Sequence, residues 1–482
     1  MNNKFFLLFI LLGAFVVRLY GFSQPIADWH SWRQADTSSV SRYFSEYGFD
    51  LLHPRYHDLS NVPSGLNNPE GYRFVEFPLY NALQAGFFQI FGVLSIEEWG
   101  RLVSIGFSLA GIYFLYSIVM QHTDRRTALL SAFFYAFLPF SIFYSRTILP
   151  DTAMVSASLG GIFFFGRFLS SSDSTKKKTN SWLYFVLTFL FTSAALLMKP
   201  YAVFFALPMG ILAYQQYGFT LWRQWKIWLL AVLCVVPLVL WRLWIQQFPE
   251  GIPVSAWLFN GNGIRFRPSF FRWMLYERTT KLIAGYTGII LLLLGTIYLV
   301  KQKSRLLLGS FVVSSILYVT IFATGNVQHD YYQIVIMPTI AILFGLGGSY
   351  LLQRTTKVLG ISLGGIIFVV LTLSAFFFSF QQVKEYYRIN DAIVIAGMAV
   401  DARVPKDALV IANNNGDTSF LYHTKRRGWA SFQNDIPVMR DKLGADYLVL
   451  LHPSVQDREL GQQFKKIAEE KEYILFDLRL KP

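Results

Sequence analysis

Asp28-Trp-His-Ser-Trp-Arg-Gln-Ala-Asp36 follows closely on the first apolar run of the chain, residues 4–22. It sets two carboxylates, a histidine, an arginine and two tryptophans beside a stretch long enough to cross a bilayer. Ionisable groups at a membrane boundary are costly unless they have partners or work there, and tryptophan favours the headgroup level. The stretch therefore reads as the start of an outer loop between membrane spans. It sets the expected fold class, a polytopic α-helical membrane protein whose polar chemistry is carried by its loops.

Composition agrees with that reading. Of 482 residues, 54% are hydrophobic, 17% aromatic and only 15% charged, with a mean hydropathy of +0.39. Soluble domains carry about a quarter charged residues. Phe occurs 46 times, which suits lipid-facing helices. The single cysteine, Cys234, lies in an apolar run and reads as a buried thiol, which excludes an internal disulfide and a Cys-based metal site. The net charge of +14 falls next to apolar spans. It points to orientation in the bilayer and to membrane lipids as partners, not to nucleic acid.

About eleven runs approach bilayer-spanning length, near residues 4–22, 99–121, 128–147, 152–170, 181–198, 200–217, 226–247, 279–300, 306–325, 331–353 and 358–381. The first lacks a small-residue cleavage site and reads as a retained helix, not a signal peptide. Arg125 and Arg126, Lys176 to Lys178, Arg223 and Lys226, Lys301 to Arg305, and Arg354 with Lys357 fall in alternate loops. All lie on one side if the N-terminus is cytoplasmic. The outer side then receives the loop 23–98, the Arg146–Asp151 turn, the loop 248–278, the His329–Tyr332 turn and the last hundred residues. The expected domains are a membrane catalytic domain, 1–382, containing the first outer loop, and an extracytoplasmic α/β domain, 383–482. In the latter, Ala408–Ala412 and Asp446–Leu451 read as buried strands and 456–471 as a polar helix. Residues 170–180, rich in Ser and Lys, read as a flexible cytoplasmic loop.

Several groups could carry chemistry at the outer face. A helix over 29–43 puts Trp29, Trp32, Arg33, Asp36, Val40 and Tyr43 on one face. Asp36 then suits a general base for an acceptor hydroxyl or a metal ligand; the plain alternative is an interfacial helix with an Arg33–Asp36 pair. Asp28 lies about 80° round and roughly 12 Å along the axis, so one Mg2+ or Mn2+ reaches both only if the chain bends. Glu76, ahead of an apolar helix opening near Pro78 and ending near Gly92, reads either as a substrate ligand or as a capping carboxylate. Asp151 reads as an N-cap with Arg146 as partner. Arg265, Arg267, Arg272 and Arg278 crowd the loop 248–278, which suggests a local anion such as a lipid phosphate; binding to bulk anionic headgroups is the alternative. Lys199 either snorkels or faces a substrate. His329 has no other histidine at ligand spacing, so zinc is not implied; His329 and Tyr331 could donate to a phosphate. No Walker or dinucleotide-binding glycine pattern occurs, which leaves ATP-driven transport and redox chemistry unsupported.

The motifs also have an order. One span is followed by the Asp-bearing loop, Pro78-Leu-Tyr80, Gly100-Arg-Leu-Val-Ser104, a basic cytoplasmic turn, Tyr144-Ser-Arg-Thr-Ile-Leu-Pro-Asp151, Met198-Lys-Pro200, then His329-Asp-Tyr-Tyr332 and Pro338. That order resembles the polytopic GT-C glycosyltransferases, in particular the protein mannosyltransferase-like and aminoarabinose transferase-like group, over residues 1–350. The resemblance implies transfer, with inversion, of a sugar from a polyprenyl-phosphate donor to a lipid, glycan or protein acceptor outside the cytoplasmic (inner) membrane. It implies Asp36, or else Asp28, as the acidic residue that activates the acceptor, and Asp151 as a second acidic position. By the same resemblance Lys199 would match the lysine before a proline that faces the substrate cavity, and Arg146, His329 and Tyr331 would line the donor phosphate region; His30, Arg33 and Glu76 are further candidate substrate-binding residues of the first loop. This chain departs from the pattern at Glu76 and Phe77, which replace a basic residue and a proline, and at Arg33 and Gln34, which take the register of adjacent acidic residues. The rival readings are a flippase or transporter of a lipid-linked saccharide, and a glycan polymerase or ligase. A transporter commonly places polar groups at the midplane of broken helices, whereas here they gather near helix ends.

Overall fold

The computed structural model describes residues 3–171, 180–354, 356–358 and 361–481; Lys176 to Lys178 and most of the Ser/Lys-rich loop lie outside them. The chain divides into two units. The first comprises 1–20, 104–241 and 255–385; the second comprises 21–103, 242–254 and 386–482. The second unit thus gathers the first outer loop and the C-terminal segment, which are far apart in sequence, into one body.

The first unit is helical. Among the described residues, six helices in the chain are long and apolar enough to cross a membrane, or seven if the bent pair Pro268–Ile283 and Gly288–Val300, turned by 113°, counts as one. Two shorter apolar helices are Phe5–Arg18 and Arg305–Ile321. Helical segments occupy the main part of each of the expected runs. Glycine sets how closely they pack. In Met337–Leu352, a Cβ on Gly347 would sit 2.0 Å from the Leu291 carbonyl oxygen, and one on Gly345 would sit 2.2 Å from Ser131 Oγ. A Cβ on Gly295, in the facing helix Gly288–Val300, would come 1.9 Å from the Leu343 oxygen. These helices approach backbone to backbone, which only a missing side chain permits. Cys234 is a buried free thiol.

The second unit is α/β. Its sheet runs, edge to edge, Gly428–Trp429, Val410–Ala412, Tyr447–Leu451, Tyr473–Asp477 and Lys465–Glu469. The first three strands are mutually parallel, and Tyr473–Asp477 runs antiparallel to both of its neighbours. Strand periodicity sorts the core. Val410, Ala412, Val449 and Leu475 face the helices Asp391–Arg403 and Ser419–Thr424, whereas Ile411, Leu448, Leu450 and Phe476 face Met439, Phe464 and Leu59. Burial on both faces explains the continuous apolar runs of 408–412 and 447–451. The first outer loop extends this sheet: Gly428 N–H donates to the His57 oxygen at 3.0 Å and Leu59 N–H to the Gly428 oxygen at 2.7 Å.

One expectation for this segment fails. Residues 456–471 form a short helix, Val455–Glu459, then a 3-10 turn and the strand Lys465–Glu469. Lys-Lys-Ile-Ala-Glu has helix-forming composition, but pairing with Tyr473–Asp477 at a solvated sheet edge overrides it, and the lysines suit such an edge.

Candidate active site

In the second unit, the helix Ser31–Tyr47 begins after His30, which takes a left-handed conformation at φ 55°. Trp29 therefore precedes the helix, where it stacks on Tyr386 with ring centroids 5.1 Å apart. The helix is polar, yet it is buried from Arg33 to Arg42. Such a helix is stable only if its polar groups are satisfied, and neighbouring elements supply the partners. Asn81 donates to the Thr37 oxygen at 2.6 Å, Gln84 to Ser38 Oγ and Ser41 to Gln84 Oε1, both at 2.8 Å, and Ser39 bonds His57 at 2.5 Å.

Asp36 lies at the centre of this unit's charge cluster, with Arg73 on Oδ2 and Thr418 Oγ1 donating to Oδ1 at 2.7 Å. Arg33 pairs with Glu76 at 2.5 Å. Arg33, Asp36 and Glu76 are buried and Arg73 is partly so, and together with Thr37, Val40 and Asn81 they line one small cleft. Asp28 accepts from Gln34 Nε2 at 2.6 Å. On Asp36's other side lie Tyr56, His57 and Asp58. Burial pushes the Asp58 carboxyl up and the His57 imidazole well down from their ordinary values. Asp58 accepts from Ser60 Oγ at 2.7 Å and from Ala430 N–H at 3.2 Å.

In the first unit, Asp151 lies in the first turn of Pro150–Ser171 and is fully buried. It is not an N-cap: its partner is Lys199 Nζ at 3.3 Å, inside the helix's positive end. Lys199 caps the helix Ser181–Met198 in an extended conformation, as a residue before proline prefers. It is buried and lies 5.7 Å from the Tyr201 ring centroid, so it does not snorkel. Asp330 receives the Tyr144 hydroxyl at 2.5 Å and faces Arg278 at 3.8 Å. His329 stacks with Tyr331 at 5.6 Å, and Tyr331 is buried. Arg146 is buried with its guanidinium 5.3 Å from the Phe143 ring. Arg265 donates to the Ile321 oxygen at 2.8 Å, whereas Arg267 is exposed.

The structure thus brings Arg33, Asp36 and Glu76 together in one cleft, with Asp28 on the same unit, and joins Asp151 to Lys199. Glu76 pairs with Arg33 just ahead of Pro78, the residue preceding the helix Leu79–Phe91, and Asp36 pairs with Arg73 where a pair with Arg33 was the plain expectation. Sequence reading missed Arg73, Thr418, Tyr144 and Asp330. Asp330 sat inside a quoted motif, so its carboxylate was available as a signal; nothing local marked Arg73 or Thr418.

The fold has solved counterparts. ArnT from Cupriavidus metallidurans, solved bound to undecaprenyl phosphate, matches with a TM-score of 0.65 at 14% identity, over 97% of this chain and 97% of that one. The family model described as dolichyl-phosphate-mannose-protein mannosyltransferase matches residues 75–244. The chain has a mannosyltransferase-like GT-C fold. The GT-C likeness extends to the oligosaccharyltransferase AglB from Archaeoglobus fulgidus, solved with an inhibitory peptide and a dolichol-phosphate, at a TM-score of 0.57 and 10% identity, over 95% of this chain and 70% of that one. None of the curated proteins matches the chain in sequence.

An oligosaccharyltransferase from Archaeoglobus fulgidus that also matches has been solved with Zn and sulfate. In this chain the acidic groups at the cleft have protein partners. One Asp36 oxygen is engaged by Arg73 and the other by Thr418, and Asp28 is taken by Gln34. Among the described residues no group of three or more His, Cys, Asp or Glu side chains is placed to hold a metal.

Proposed function

We propose that the chain is an inverting membrane glycosyltransferase that moves a sugar from a polyprenyl-phosphate donor to an acceptor hydroxyl of a lipid, glycan or protein. The observation that carries the reading is the buried Asp36 carboxylate, held on the wall of a polar cleft with Arg33, Glu76 and Asn81, in a fold shared with ArnT along nearly its whole length.

The chemistry follows from the groups present. The acceptor oxygen attacks the anomeric carbon, the bond from that carbon to the phosphate oxygen breaks, and polyprenyl phosphate departs with the electron pair. Asp36 takes the hydroxyl proton as general base. Asp28, which is hydrogen-bonded to Gln34, is the second candidate. His30, Arg33 and Glu76 orient the acceptor. Lys199, Arg146, His329 and Tyr331 stabilise the departing phosphate, and Arg265 and Arg267 attract it to the outer face. Asp151 holds Lys199 in place. A sugar phosphate already has a good leaving group, so placement and charge stabilisation suffice, and no step is routed through a metal.

The topology proposed with this function has about eleven spans, a cytoplasmic N-terminus in the inner membrane, and the first outer loop and C-terminal α/β domain outside. Mass spectrometry of lipid retained by the purified protein tests the reading. Asp36→Asn should trap a polyprenyl-phosphate sugar, with bare polyprenyl phosphate on the wild type. The same intact lipid-linked glycan on both proteins would favour transport and sink the transferase reading.

A further inference from the structure

We propose that Thr418, from the C-terminal segment, is a positioning residue that fixes the Asp36 carboxylate for its work as base. The proposal rests on the glycosyltransferase reading of Asp36.

The Thr418 hydroxyl has one proton and two acceptors in reach, Asp36 Oδ1 at 2.7 Å and the Trp32 oxygen at 3.1 Å. The shorter bond to the charged group takes the proton. With Arg73 on Oδ2, the carboxylate is gripped once on each oxygen. Each carboxylate oxygen offers about two acceptor directions, so one on each remains for an incoming hydroxyl. A base must meet its proton at about 2.6–3.2 Å, and a carboxylate free to rotate about its side-chain torsions would meet that condition only part of the time.

Thr418 can do this because its own frame is fixed. The preceding turn is tied to the sheet: Asn414 and Gly416 N–H both donate to the Ala430 oxygen, at 2.9 and 3.0 Å. Gly416 turns the chain at φ +87°. Asp417 Oδ1 then accepts the Ser419 N–H at 2.8 Å. One turn further on, Tyr422 receives Arg42 Nη1 on its carbonyl oxygen at 2.8 Å, and its hydroxyl donates to Glu97 at 2.5 Å. The segment 418–422 therefore grips the Ser31–Tyr47 helix at Asp36 and again at Arg42. A donor on a frame held at two points locates its acceptor more tightly than a loop hydroxyl would.

The test compares full-length wild type, Thr418→Val, Thr418→Ser and Asp36→Asn in nanodiscs. Turnover is read as release of undecaprenyl phosphate from its mannosyl and 4-amino-4-deoxyarabinosyl phosphodiesters, with a cell-envelope lipid extract as acceptor. Infrared spectra of 13C-aspartate-labelled protein, taken as differences against Asp36→Asn, isolate the Asp36 carboxylate stretch without any ligand. Thr418→Val should lower kcat about tenfold or more, with acceptor KM and thermal midpoint little changed, and should shift the Asp36 band; Thr418→Ser should restore both. Turnover in Thr418→Val equal to wild type, or an unshifted band, would overturn the positioning role and leave the transferase reading standing. Turnover in Asp36→Asn equal to wild type would overturn the base role of Asp36 and the positioning claim with it.

Discussion

Asp36 is held by groups 37 and 382 positions away in the sequence, and that separation explains what a linear reading can reach. Its candidacy was legible because carboxylate, arginine and tryptophan shared one helical face next to a membrane span. Arg73 and Thr418 were not legible, because their roles come from where the first loop and the C-terminal turn fold. The same neighbourhood predicts a pH effect at His57. Burial, with Arg42 and Arg427 nearby, holds its imidazole well below the usual value near 6.5. Between those two values the unfolded chain binds more protons than the folded one. Stability is therefore present above about pH 6.5 and lost as pH falls below it, at up to about 1.4 kcal/mol per pH unit. Asp58 has the opposite sign, because its raised value withdraws stability as pH rises. The thermal midpoint of wild type measured against that of His57→Gln cancels the Asp58 contribution. The gap between the two proteins should change between pH 7 and 5, with the wild type falling faster; parallel curves would mean that the folded His57 imidazole titrates like that of the unfolded chain.

At the scale of elements, hydropathy made the helices legible but not their spacing. The glycines of Met337–Leu352 look ordinary in a line of apolar residues, yet Gly347 lies where a Cβ would meet the Leu291 oxygen at 2.0 Å. Gly347→Ala should cost about 1–3 kcal/mol through forced separation of two helices, read as a drop of several degrees in the thermal midpoint. Gly309, in Arg305–Ile321, has nothing within 4 Å of the corresponding position. Gly309→Ala should be neutral or gain about 0.5 kcal/mol from backbone entropy. Equal effects at the two sites would show that close approach is not what Gly347 provides. The strand Lys465–Glu469 illustrates the converse failure. Local composition favoured a helix, and pairing with the adjacent antiparallel strand at 473–477 decided the outcome.

At the scale of the whole molecule, the second unit is assembled from three separated stretches, 21–103, 242–254 and 386–482. The expectation that the C-terminal residues form an α/β body came from two apolar runs; that the first outer loop belongs to the same body could not be read from either stretch alone. A chain ending at residue 385 should keep its apolar helices but lose the partners of Asp36, Arg42, His57 and Asp58 supplied by 418–430. Limited proteolysis in intact vesicles should then cut within residues 28–61, which full-length protein should protect. Equal protection in both would mean that the outer loop is ordered without its C-terminal partner.

The edge bridging of His57 and Leu59 to Gly428 also sets a timetable for synthesis. At about 5–20 residues per second, the ribosome needs roughly half a minute after finishing the outer loop to deliver its strand partner. Throughout that interval a helix carrying five serines, two arginines and Asp36 waits without the groups that later satisfy it. A nascent chain of this design depends on whatever shelters the loop until translation ends, so its yield should respond to elongation rate and to folding factors on the side where the loop emerges.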